Sequence, residues 1–488
     1  MKKSISGLIA ALIGASAATA LAATPDQLKS ATQLIERHHY ESAAAALRAG
    51  GGEPKVAAAA LTLGRAYARN AELHRALHRS SLATGNRYLQ QLAAQGGKER
   101  SRYAVLYYGE YLIEAGKREA GVAQLRKLLA PDAIPARYRE LAQIRIAAAQ
   151  GARAGAAPAL PQAKSADPEV ASQAAAALSR WPARRGEAVA HIDRIVDEGK
   201  KKGAALPMRA VTNALVVYAR AGAVDKAFAL AASADLGRPS YVESIGAAKV
   251  LRFYDPALLG GLAELYQSAA ERLLEQAVAD DRLKHVAGYF LAESHLCAGG
   301  TSKAAALLPQ VVAAAELPQA LRSRAVVLQA AADARATRAS PAFDALARTH
   351  AEDPVMLAEL LGACVRSGAE CGAVGGTARE LAGKGQGERF RRLHWAIGMQ
   401  HAAAHQPEQA IVALETARDK ANKNKIDTND PLLLNLLADL YLEAKSFSEN
   451  LEIYFELSKE FPAVRQLQEA GQGVYSMEYR SAGDVKIF

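Results

Sequence analysis

The stretch from Asp430 to Pro462, DPLLLNLLADLYLEAKSFSENLEIYFELSKEFP, admits one local structure: two helices folded back on each other. Asp430 stands at a capping position and Pro431 at the first helical position, where its missing N–H costs nothing. Leu433, Leu437, Leu440 and Tyr441 recur at helical spacing, as do Leu434, Ala438 and Tyr441. Ser446, with Glu449 three residues on, forms a capping box for a second helix. Phe447, Leu451, Tyr454, Leu457 and Phe461 make its apolar stripe, and Pro462 stops it. The first helix is apolar on a surface wide enough to be covered from two sides. Such a pair cannot bury itself and requires neighbours stacked against it.

The remaining chain supplies those neighbours. Ala dominates, aromatics make up only 6% of the 488 residues, and Gly and Pro are spread as punctuation. Closely approaching, Ala-rich helices suit that composition, and no run of alternating β-branched residues competes with them. The expected fold is all-α: a superhelical solenoid of antiparallel helix pairs, curved and elongated.

Asp430–Pro462 resembles a tetratricopeptide repeat, a unit of roughly 34 residues with small or apolar residues at fixed offsets. Leu434 stands at that family's Trp position, Leu437 and Ala438 at its Leu-Gly step, and Tyr441 at its Tyr. Tyr454 takes the Phe position and Pro462 the closing Pro. Asn450 departs from the pattern, which has Ala there. Looser echoes recur at Gln33–Leu47, at Gly64, Tyr67 and Ala76, and at Gly109, Leu112 and Gly121. They continue at Tyr218 and Ala227, at Ala292, His295 and Ala304, and at Gly398, His401 and Ala410. Ala257–Ala279 reads as one long helix, Gly151–Pro168 as a loop or joint, and Leu236–Pro256 fits no repeat. The expected division is a signal peptide over 1–22, N-terminal helical repeats over 23–155 and central degenerate repeats over 156–390. A C-terminal repeat pair over 391–462 and a tail over 463–488 complete it.

The resemblance implies a concave surface lined by the first helix of each pair. In the repeat frame the groove positions of the last two units are Arg392, Trp395, Met399, Asn435, Asp439 and Leu442. Trp and Arg anchor interfaces and Met adapts to varied ligands, which makes a protein partner the expected ligand. Trp395 filling the core between repeats is the competing role.

Location and charge narrow the partner. Lys2 and Lys3 precede an apolar run and the small-x-small step Ala20-Leu21-Ala22, the pattern of a cleaved export signal. No later stretch is apolar enough to span a bilayer, so the mature chain is expected in the periplasm without a transmembrane segment, where it meets no nucleic acid. The net charge is +10, or +8 without Lys2 and Lys3. Its cations are scattered, which suits solvated helix faces; an acidic partner, including an anionic envelope polysaccharide, is the alternative. The tail from Val474 to Phe488 is either frayed or folds Tyr475, Tyr479 and Phe488 over the last pair.

No enzyme and no cofactor are expected. Gly-rich phosphate loops, G-x-S-x-G and H-E-x-x-H are all missing. Glu243-Ser244 and Glu293-Ser294 lack the substrate loop of the helical peptidoglycan-cleaving enzymes, a third reading of the chain. His394, His401 and His405 lie on one helix face, and His74 and His78 form an i, i+4 pair; without ligands from a second element, packing outweighs a metal site. Cys364 and Cys371 flank Arg-Ser-Gly-Ala-Glu, a tight turn that either carries a disulfide or leaves buried thiols, with Cys297 left over.

Overall fold

The computed structural model describes residues 24–48, 57–94, 99–130, 134–234, 257–337, 341–419, 421–461 and 464. The signal peptide, residues 236–256, Pro462 and the tail from 474 lie outside them. Among the described residues the chain is a solenoid of antiparallel helix pairs without a strand. It divides into two compact units. One comprises Leu73–Ser268 with Phe461 and Val464, the other 24–72 with Ala269–Glu460. The helices Ala57–Ala94 and Ala257–Val278 contribute to both.

In the first unit the pairs are Glu99–Glu114 with Arg118–Arg126, Pro168–Leu178 with Arg185–Lys201, and Met208–Arg220 with Val224–Ser233. In the second they are Pro25–Glu36 with Tyr40–Arg48, Lys284–Cys297 with Thr301–Ala313, and Gln319–Thr337 with Pro341–Thr349. Pro354–Ser367 with Gly372–Ala382, Glu388–Ala403 with Pro407–Ala417, and Pro431–Glu443 with Phe447–Glu460 follow. First helices also stack on one another: Pro168–Leu178 meets Met208–Arg220, and Pro354–Ser367 meets both Gln319–Thr337 and Glu388–Ala403. Contact thus passes from pair to pair, as in repeat proteins generally.

Most pairs turn through one residue in the left-handed region. Glycine takes it at Gly116, Gly222, Gly299 and Gly368, but His38, His405 and Lys445 hold the same place at φ 65°, 56° and 62°. Glycine adopts this conformation without steric cost and a side chain does not, so the two terminal pairs of the second unit, and the one before the last, turn under mild strain.

The Asp430–Pro462 reading holds closely over the described residues. Asp430 Oδ1 accepts from the Leu432 N–H at 2.8 Å, and Leu434, Leu437, Ala438, Tyr454 and Leu457 are buried. Asn450, the departure from the repeat pattern, is buried too; its Nδ2 donates to the Ala438 carbonyl at 2.7 Å across the crossing. A polar side chain replaces close contact there with a hydrogen bond, which satisfies a buried donor.

One region differs from expectation. Ala57–Ala94 is a single helix of 38 residues rather than a pair placed on Gly64, Tyr67 and Ala76. No Gly or Pro lies between Arg65 and Thr84, so nothing breaks the helix between those offsets. Gly64 serves a close approach instead: a Cβ there would stand 2.9 Å from Leu274 Cγ.

Cys364 and Cys371 form a disulfide, S–S 2.08 Å, joining Pro354–Ser367 to the start of Gly372–Ala382. Closing so short a loop restricts the unfolded chain by about 2 kcal/mol. Replacing both cysteines by alanine is expected to lower the denaturation midpoint of the second unit by that amount while leaving helical content intact. An unchanged midpoint would assign the turn's stability to Ser367, whose Oγ accepts from the Ala369 N–H at 3.3 Å. Cys297 is a free thiol, pushed up to about 12 by burial and by the carboxylates of Glu72 and Glu293, and so inert.

Candidate functional site

The six groove positions divide by burial. Arg392 is exposed, Trp395, Met399 and Asp439 are half-buried, and Asn435 and Leu442 are buried. Arg392, Trp395 and Met399 share one face of Glu388–Ala403 because they recur at helical spacing. The adjoining face of that helix drives Leu393, Ala396 and Ile397 into a core with Leu357, Leu361 and Val374. Met399 packs at the edge of that core, its Cε 3.2 Å from where a Cβ on Gly362 would sit. Trp395 is half-buried, with its Nε1 enclosed and unmatched by any acceptor among the described residues. A buried donor left unmade costs roughly 1–3 kcal/mol, and an N–H enclosed in this way is out of a ligand's reach, so the indole offers a partner only the part of its ring that stays exposed.

Asp439 and Leu442 serve the last pair itself. Asp439 Oδ1 accepts from the Tyr454 hydroxyl at 2.9 Å, and Leu442 lies in the core. The structure therefore brings Arg392, Trp395 and Met399 together as an accessible set and commits Leu442 to packing.

Next to this set stands a segment the repeat frame did not place there: the N-terminal hairpin, Pro25–Glu36 with Tyr40–Arg48. His39 Nε2 lies 2.5 Å from Asp427 Oδ1 and its Nδ1 3.2 Å from Glu460 Oε2. Ser42 Oγ donates to Glu460 Oε1 at 3.0 Å. Burial works against the charged form of His39, yet hydrogen bonds to Asp427 and Glu460 outweigh it and hold its pKa above the ordinary imidazole value. His38 shifts the other way: burial lowers it, Asp430 opposes, and Arg69, Arg392 and His39 lower it further. Tyr40 is buried beside Asp430, and both effects push its phenol well up.

Further along the same unit, Arg69 spans Glu72 at 2.8 Å and Glu293 at 3.4 Å, and Arg65 stacks 4.4 Å over the Phe290 ring. Glu293, weighed above as a catalytic acid, is thereby engaged in an ion pair; Glu243 lies outside the described residues. Among the described residues no group of three His, Cys, Asp or Glu could hold a metal. His401 Nδ1 meets Gln406 Oε1 at 2.7 Å, and His405 occupies the left-handed turn.

The first unit holds a charge network that the sequence did not single out. Glu110, only 4% exposed, pairs with Arg209 and lies 3.6 Å from Arg145 Nε. Arg145 also reaches Glu114 at 3.2 Å, and His78 Nε2 lies 3.9 Å from the same carboxylate. Burial opposes the charged form of Glu114, but Arg145 and His78 hold its pKa below the usual range. Arg220 clasps Glu264 with two nitrogens and reaches Ser179 Oγ at 3.3 Å. Arg180, adjacent to Ser179, makes no ion pair among the described residues. Desolvation and the neighbouring Arg145 and Arg220 bring it down to about 10.

No helix of the described residues is long and apolar enough to cross a membrane. No protein-family model matches the chain, and no curated protein does. Among solved structures it is similar to yeast Tom70, at 11% identity and a TM-score of 0.31, with 93% of this chain and 96% of that chain covered. It is also similar to the APC/C hetero-tetramer Cut9-Hcn1, at 13% identity and a TM-score of 0.26, covering 90% and 95%.

Proposed function

We propose that this chain of tetratricopeptide-like helix pairs is a non-catalytic scaffold that holds another protein on the concave face lined by its first helices. The observation that carries the reading is the set Arg392, Trp395 and Met399: an exposed cation, a half-buried aromatic ring and an adaptable half-buried side chain, all on one helix face. Those are the side chains that concentrate binding energy at interfaces. The export pattern of residues 1–22 supports a periplasmic location for the scaffold, and cell fractionation with N-terminal sequencing of the mature chain tests it.

Replacing Trp395 and Arg392 together by alanine is expected to weaken retention of the partner from envelope extract by tenfold or more, about 1.4 kcal/mol or above. Circular dichroism should stay nearly unchanged. Unfolding of the Glu388–Ala417 pair in the double variant would show Trp395 to be core and remove the groove assignment.

A second reading is an accessory factor for synthesis or export of an anionic envelope polysaccharide. The net charge of +10 favours it, as does the grouping of Arg180 with Arg145 and Arg220. Glycan-dependent retention that Arg180→Ala abolishes, with the Trp395/Arg392 variant still bound, would decide for this reading. An enzyme acting on peptidoglycan ranks third, since Glu293 is engaged by Arg69.

A further inference from the structure

His39 has a carboxylate at each ring nitrogen, Asp427 on the Nε2 side and Glu460 on the Nδ1 side. A neutral imidazole carries one N–H and one lone pair, so it can donate to only one of them. The other nitrogen would then direct its lone pair at a carboxylate oxygen. Only the imidazolium satisfies both contacts. The two acceptors are also held in place. Glu460 receives the Ser42 hydroxyl on its other oxygen. The loop bearing Asp427 is braced by Asn429, whose Nδ2 donates to the Asn422 carbonyl at 2.8 Å and whose Oδ1 accepts from the Asp419 N–H at 2.9 Å.

We propose that His39 is a proton-operated clasp fastening the N-terminal hairpin to the last helix pair, and that loss of its proton loosens the hairpin. The inference stands apart from the groove reading, since it concerns what holds residues 24–48 and not what binds Arg392 or Trp395.

The pH window follows from the neighbours. On the hairpin, His39 adjoins His38, whose Nδ1 contacts the Tyr40 hydroxyl at 3.0 Å; from the rest of the unit Asp430, Arg69 and Arg392 act on His38. From the last pair and its leading loop, Glu460 and Asp427 act on His39. A group whose pKa is raised on folding contributes fully below its unfolded value and loses that contribution as pH rises through its folded value. His39 therefore fastens the hairpin in mild acid and releases it on the alkaline side. His38, lowered on folding, works the other way: its protonation opposes docking as pH falls. Docking is tightest near pH 6.5, the ordinary imidazole value, with an alkaline limb owned by His39 and an acid limb owned by His38. Asp427 is 56% exposed and Glu460 16%, so solvent screens the first contact and the Glu460 contact carries most of the effect.

Hydrogen exchange of the full chain, corrected for intrinsic rates, tests this on peptides covering Tyr40–Arg48. Protection is expected to fall roughly fivefold between pH 6.5 and 8.5, the scale of two partly exposed ion pairs. Peptides of Pro354–Ser367 should not change. His39→Gln is expected to remove the alkaline limb and keep the acid one, and Glu460→Gln, far along the chain, to flatten the same limb. Equal protection of the unaltered chain at both pH values would overturn the clasp. So would an alkaline limb that survives in His39→Gln. If His39→Gln leaves the hairpin unprotected at every pH, Glu460→Gln decides: an alkaline limb that persists there also overturns it.

Discussion

Gly121→Ala is expected to destabilise the first unit by about 2 kcal/mol, although alanine is the better helix former by about 1 kcal/mol. The helices Glu99–Glu114 and Arg118–Arg126 cross at Gly109 and Gly121. A Cβ on Gly121 would lie 2.5 Å from the Gly109 carbonyl oxygen, 2.6 Å from Ile113 Cγ1 and 3.0 Å from the Ile113 nitrogen. Two of those atoms are backbone and cannot swing away, so the helices must separate, and overpacking of this kind costs about 1–3 kcal/mol. The propensity gain is the smaller effect. Gly121→Leu should cost more still, about 4 kcal/mol, since added methylenes find no space. Gly398→Ala is the matched comparison. Its Cβ would meet Leu414 Cγ at 2.6 Å, but the nearest backbone atom, the Ala410 oxygen, stands off at 3.4 Å, so one buried side chain must shift rather than a helix backbone. Its cost should be the smaller, about 1 kcal/mol, because alanine's helix propensity offsets part of the repacking. Urea midpoints for the three variants measure the ranking; equal costs at Gly121 and Gly398 would contradict the backbone argument.

Glu110→Ala is expected to cost about 3–5 kcal/mol, the largest effect of any single polar substitution described here. Glu110 is 4% exposed, and its partners Arg209 and Arg145 are 9% and 11% exposed. Removing the carboxylate leaves two enclosed guanidiniums facing each other without the anion that lay between them, although Arg145 retains Glu114. The pair itself adds little net stability, because desolvation offsets most of its attraction. Glu110→Leu combined with Arg209→Met should therefore recover most of the loss. A double variant as unstable as Glu110→Ala alone would show the network to hold more than charge balance. Thermal unfolding of the three proteins separates these outcomes.

The helix pairs were legible because their signals are local. Asp430-Pro431, the stripe from Phe447 to Leu457 and the small residues Gly109, Gly121 and Gly398 act on neighbours within one pair. Local matches also misled where punctuation was missing: Gly64, Tyr67 and Ala76 sit at repeat offsets in a helix that never turns. Turns through His38, His405 and Lys445 escaped notice because only glycine announces a left-handed residue. The groove set was readable in part. Arg392, Trp395 and Met399 follow from helical spacing, whereas the burial of Asn435 and Leu442 depends on neighbours that periodicity along one helix does not name. Long-range pairs left no trace at all: Glu110 meets Arg209 across 99 residues, and His39 meets Asp427 across 388. A charged residue's partner is set by tertiary placement, and one sequence carries no record of it.

That last separation has a consequence for how the chain is made. Residues 73–268 are contiguous, so the body of the first unit emerges from the ribosome as one piece. The second unit is split, with residues 24–72 made first and Ala269–Glu460 made last. At typical synthesis rates the wait between His39 and Asp427 is roughly 20 to 80 seconds. Loop closure over such a span precedes any reward from the contacts it creates, which slows the final step. The hairpin, made before Ala269–Glu460, is thus completed only when the last helix pair arrives.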